Sequence, residues 1–165
     1  MKRSIVALAA AYLAVSAPAA FGEVTKDHVK GEGELVGTSM NKFKFDIKKE
    51  DDGLGNRRLS GRFKVADKTE KDGTPERSFE GPAICLQVNG SDAMFVVPFT
   101  KTKNRPAFDG VVVVIHDGGK PMGGVSPDRI GIRDYTGAPP PCTNPLLQPP
   151  PMGVPTKGDI VVQDG

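Results

Sequence analysis

Side chains able to do acid–base, nucleophilic or metal chemistry are few in this 165-residue chain. Histidine occurs twice, as His28 and His116, and cysteine twice, as Cys85 and Cys142. His116 is followed by Asp117, and an imidazole held by a carboxylate is the base of Ser–His–Asp hydrolases and a frequent metal-ligand arrangement. The sequence supplies no Gly-x-Ser-x-Gly nucleophile elbow to go with the pair. Neighbouring residues on a strand also point to opposite faces, so a His–Asp dipeptide does not by itself bring its two side chains together. The pair reads as a strand-end histidine and a turn aspartate. His28 falls in a polar lead-in, where a solvated histidine is expected.

Other clusters have similarly plain readings. Glu50-Asp51-Asp52-Gly53 could touch a calcium ion, but it lacks the alternating ligands and closing glutamate of an EF-hand loop and reads as a solvated hairpin tip. Asp128, Arg129, Arg133 and Asp134 can pair across strands or line a polar face. Asn89-Gly90-Ser91 fits a glycosylation sequon, yet Asn-Gly at a hairpin tip explains the same residues. No set of residues qualifies as catalytic, cofactor-binding or metal-ligating, and no cofactor is implied. His116, Asp117 and Arg129 stand as the candidates for contact with a ligand.

The elements that would position these residues are strands. Residues 31–37 read as a first short strand after the lead-in 23–30. In 41–48, Phe43, Phe45 and Ile47 alternate with charged residues, the period of two of a half-buried strand. Residues 58–65 alternate again, so 41–65 forms a hairpin. Residues 67–75 read as a charged loop. A strand over 77–86 is broken by Pro82, which marks an edge or bulge. Asn89-Gly90 turns the chain into a strand over 93–100. Residues 110–115, Gly-Val-Val-Val-Val-Ile, are apolar on both parities and fit a central strand covered on both faces. A strand over 128–135 follows, then a proline-rich extended connection at 138–155 carrying Cys142, then a last strand over 157–163. The expected fold is all-β, with about nine short, mostly antiparallel strands forming a sandwich or a small, partly open barrel.

Residues 1–22 have the three parts of a cleaved export signal: Lys2-Arg3, an apolar run to Ser16, and small residues that permit cleavage before Ala20 or before Glu23. The apolar run is shorter than the roughly 20 residues a membrane-spanning helix needs. The chain is therefore read as secreted or periplasmic, with a signal at 1–22, one domain at 23–165 whose ordered core is 31–165, and no transmembrane anchor after cleavage. In an exported chain, two cysteines favour a disulfide between Cys85 and Cys142. Closing so long a loop is worth about 4 kcal/mol in chain-entropy models. The signal holds Lys2 and Arg3 but no acid, so the remainder carries 20 basic and 20 acidic residues. That balance lacks the basic excess of a nucleic-acid binder.

Several features together resemble a group of small secreted bacterial β-domain proteins. These are Gly31-x-Gly33, Phe43-x-Phe45, Gly61-x-Phe63, Cys85-Leu86-x-Val88-x-Gly90, Asp117-Gly118-Gly119-Lys120-Pro121 followed by Asp128-Arg129, and the proline-rich stretch with Cys142 before Gly158-Asp159-Ile160. Position 116 departs from the acidic or polar residue expected before that turn. The resemblance implies fold and export and transfers no functional residue. The expected function is that of a monomeric, non-enzymatic domain binding or scaffolding an extracellular or envelope partner. A secreted hydrolase using His116 and Asp117, and an inhibitor of extracellular hydrolases presenting the loop before Cys142, are the alternatives.

Overall fold

A computed structural model of the protein describes residues 24–35, 42–66, 77–104, 107–120, 127–142 and 155–165. The residues read as an export signal, the loop expected at 67–75 and most of the proline-rich connection lie outside these residues. The described residues contain no helix and form ten strands in two antiparallel sheets. Strands β1 (Thr25–Leu35), β2 (Lys42–Asp51), β3 (Arg57–Ala66), β4 (Ser78–Pro82), β7 (Lys101–Lys103) and β10 (Pro155–Gln163) form the larger sheet, in the order β10-β1-β2-β3-β4-β7. Strands β5 (Cys85–Asn89), β6 (Asp92–Pro98), β8 (Gly110–His116) and β9 (Arg129–Tyr135) form the smaller one, in that order. The sheets pack face to face as a sandwich, which settles the choice between sandwich and barrel.

The alternation in β2 and β3 does what its period demands. Phe43, Phe45 and Ile47 are buried on one face with Phe63 and Val65, while Lys42, Lys44, Asp46 and Lys48 stand in solvent. Phe95 of β6 meets Phe45 and Phe63 across the sandwich, with ring centroids 5.2 and 5.9 Å apart. A second aromatic group, Phe79, Phe99 and Phe108, fills the end near β4 and β7. Gly61 lies at φ 122°, and a Cβ there would run into the Asp46 carbonyl. A side chain at this point would break the β2–β3 ladder.

Three expectations need correction. The first strand begins at Thr25, not at residue 31, so His28 belongs to β1 rather than to a loose lead-in. Its apolar partners are sparse there, only Val29 being a buried hydrophobe before Gly31, so alternation alone gave little signal. Second, residues 77–86 are two strands in different sheets. Pro82 ends β4, and the chain crosses at Ala83–Ile84 into β5. The proline therefore marks a corner between sheets, where a missing N–H costs no ladder bond. Third, the strand expected over 93–100 ends at Pro98, as β6, which is covered on both faces as β8 is, with Ala93 through Val97 all buried.

The central placement of β8 holds, between β6 and β9. Val111, Val113 and Ile115 face the main core. Val112 joins Met94 and Val96 in a smaller cluster on the outer face. Cys85 and Cys142, joined as a disulfide with Cα atoms 6.1 Å apart, pack against that outer cluster together with Tyr135. The crosslink thus supplies part of the second cover that makes these strands apolar on both parities.

Candidate functional site

His116, Asp117 and Arg129 do lie at one corner of the molecule, where β8 ends, β9 begins and the β5–β6 hairpin turns. The hairpin loop is Gly90-Ser91, with Asn89 paired to Asp92 and Gly90 at φ 60°. Glycine at the first central position suits the two-residue turn that matches strand twist. The register then sets Asp92 opposite His116, and His116 opposite Arg129. These three side chains form a row across β6, β8 and β9 on the outer face of the smaller sheet. His116 Nδ1 lies 2.8 Å from Asp92 Oδ1.

Asp117 faces elsewhere. Its Oδ1 accepts the Gly119 N–H at 2.8 Å and its Oδ2 accepts the Val162 N–H at 3.0 Å. Its own N–H donates to the Ser91 carbonyl at 2.8 Å. Asp128 acts in parallel from deep burial, accepting the Gly118 N–H at 3.0 Å and the Ile160 N–H at 2.8 Å. In β10, Ile160 and Val162 pair with Gly31 and Val29 of β1, yet their N–H groups go to these carboxylates. Two aspartates thereby do for the edge of β10 what the carbonyls of a further strand would do. Asp164 completes the corner, its Oδ2 accepting the Gly90 N–H at 2.8 Å.

The carboxyl partner of His116 is therefore Asp92, twenty-four residues away, and not Asp117. Asp92 carried no signal in the sequence, because only the strand register places it opposite His116. Arg129 is exposed and joins the row as the third residue, whereas Asp117 serves the fold. Arg133 is exposed on the same strand, and burial pushes the Asp134 carboxyl up from its ordinary range. His28 is likewise paired, with Nε2 2.9 Å from Asp46 Oδ1 on the outer face of the larger sheet.

The acidic turn at 50–53 is a fastened hairpin end. Asp51 accepts the Gly53 N–H and the Arg57 Nε–H, and Asp52 accepts the N–H groups of Leu54 and Asn56 and the Asn56 amide. The Asn56 amide and the Leu54 N–H hold the Asp52 carboxyl below its ordinary range. Among the described residues, no three His, Cys, Asp or Glu side chains converge as metal ligands. None of those residues forms a helix long and apolar enough to cross a membrane.

Comparison with protein-family models, with curated proteins and with solved structures finds no match for this chain.

Proposed function

We propose that the chain is an exported, non-enzymatic binding or scaffolding domain that acts at the cell envelope or outside the cell. One observation carries this reading: Asp117 and Asp128, the carboxylates of the turn that follows His116, are spent on the fold, and the carboxylate His116 does meet, Asp92, stands exposed in solvent. Asp117 accepts two backbone N–H groups and Asp128 two more, so neither can orient an imidazole or move a proton without releasing β10. The disulfide between Cys85 and Cys142 is compatible with an oxidising compartment. The resemblance to small secreted bacterial β-domain proteins adds export and no functional residue.

The test is retention of the purified chain on isolated envelope material, with mass spectrometry of the exported protein, native and denatured. Saturable retention, or a native mass exceeding the denatured one by a discrete ligand, is the expected result. A hydrolytic activity lost in His116→Ala and Asp92→Ala variants that still melt normally would replace this reading with the hydrolase one. The inhibitor reading concerns the loop before Cys142 and fails if the pure chain inhibits no protease across a broad panel.

A further inference from the structure

We propose that the outer face of the larger sheet is a docking surface for an acidic polysaccharide, held by a row of lysines centred on Lys64. This rests on the reading of the chain as an exported binding domain and names its partner class. The outward positions of β2, β3 and β7 include Lys42, Lys44, Lys64, Lys101 and Lys103, all exposed. Two adjoining depressions cross this face. One is lined by Glu32, Lys42, Lys44, Lys64 and Gly158 among others, and the next by Lys64, Glu80, Lys101 and Lys103 among others. Sharing Lys64, they make one shallow track from β10 to β7, roughly 24 Å over the five spacings of about 4.8 Å between six strands.

The carboxylates lining this track are Glu32, Glu80 and Glu34, the last opposite Lys42, and each has a partner. Glu32 binds Lys44 at 2.8 Å and Glu80 binds Arg62 at 2.7 Å. Lys64 stands opposite Lys44 on β2 and opposite Glu80 on β4. Among the described residues Lys42, Lys64 and Lys101 make no ion pair. Like charges directly opposite each other destabilise a sheet, so folding alone does not favour the Lys44–Lys64 pair. An anion lying between the two ammonium groups would relieve it.

The chemistry of the face selects the kind of anion. The described outward side chains include no Phe, Tyr or Trp, and the imidazole of His28 is tied to Asp46, so the face offers no row of rings for stacking nucleic-acid bases. They present no large apolar wedge beyond the half-exposed Val161, so the face has nothing to insert into lipid. Lysine ammonium groups are hydrated point charges rather than planar forks. A flat, wet row of them suits spaced carboxylate or sulfate groups on an extended, hydrated chain.

The test titrates the exported protein with polygalacturonate and with heparin by calorimetry at low and high salt. Binding that weakens steeply with salt is expected. The Lys42→Gln/Lys64→Gln/Lys101→Gln variant should bind about tenfold or more weakly at low salt, as loss of salt-releasing contacts predicts. Arg129→Gln/Arg133→Gln, on the other sheet, should bind like the parent. The single variant Lys64→Gln removes the like charge opposite Lys44 without setting a carboxylate opposite Glu80, so it should keep the parent's native amide spectrum and urea slope and still bind more weakly, which separates lost docking from lost folding. No binding to either polysaccharide, equal binding by the triple variant, an equal loss in the arginine variant, or tighter binding to duplex DNA or phosphatidylglycerol vesicles would overturn the assignment. Retention on envelope material that the triple variant leaves unchanged would also overturn it while leaving the broader binding reading in place. A parent chain retained by neither envelope material nor polysaccharide would remove both.

Discussion

The aspartates decide the corner around His116, and their chemistry makes separate predictions. Asp128 is buried and accepts two backbone N–H groups. Hydrogen bonds to a charged acceptor are worth about 1.5–3 kcal/mol, and its loss leaves two donors stranded. Asp128→Ala should therefore lower stability by about 3 kcal/mol, read from the urea midpoint at unchanged slope. His116→Ala removes a half-exposed side chain whose partner Asp92 is exposed, and should change stability by under about 1 kcal/mol. Asp52 gives the pH dependence. Its folded pKa is lowered by the Asn56 amide and the Leu54 N–H, so its contribution is present above the ordinary carboxylate range and is lost as pH falls through the folded value. Asp52→Ala should melt below the parent at neutral pH, with the gap closing in acid. An equal gap at pH 2 would assign the effect to loop geometry rather than charge. Tyr135 points the other way. Its hydroxyl is buried with no hydrogen-bond partner among the described residues, so Tyr135→Phe should be neutral or stabilising by up to about 1 kcal/mol.

Elements were legible in the sequence wherever one face met solvent. In β2, the alternation of Phe43, Phe45 and Ile47 with lysines and Asp46 fixes the strand and its buried face, and the structure adds the register, Phe45 opposite Phe63. In β8 the run of valines reads as a doubly covered strand, and the structure supplies both covers. Legibility failed where a residue's meaning depends on which sheet it serves. Pro82 reads as an edge or bulge from local chemistry, and only the packing of two sheets turns it into the corner between β4 and β5. Gly81 belongs to the same corner, since a Cβ there would meet the Pro98 carbonyl of β6. The three-residue β7 is too short to carry any period and went unread. The disulfide was legible as a pairing but not as cover. It joins residues 57 apart and also lies on Met94, Val96 and Val112. Reduction should therefore lower stability by up to about 4 kcal/mol through the unfolded chain. It should also speed hydrogen exchange in β6 and β8 above that in β2 and β3. Uniform acceleration across both sheets would leave only the unfolded-state effect.

At the scale of the whole molecule, the balanced charge conceals a division of labour. Asp51, Asp52, Asp109, Asp117, Asp128 and Asp164 each accept a backbone N–H in a turn or at a strand edge. Many lysines instead stand on the open face of the larger sheet. A sum over the sequence cannot reveal this, because it weighs a carboxylate tied to a turn equally with a free ammonium group. The first and last strands are also joined. β1 pairs with β10 from His28↔Gln163 to Leu35↔Pro155, and β10 delivers the buried Ile160 and the donors for Asp117 and Asp128. Removing residues 155–165 would unpair one edge of β1 and open a hole beside Gly31 and Phe45, which touch Ile160 or its space. Asp128 would also lose one of its donors. An exposed, unpaired edge is a template for association with another chain. The truncated chain should lose the dispersed amide spectrum of the native sandwich and associate as its concentration rises. Adding the 155–165 peptide in trans should restore that spectrum if pairing with β1 is what the molecule lacks. A truncated chain that stays monomeric with native chemical shifts in β1 and β2 would mean that β10 is an ornament on a sandwich already complete without it.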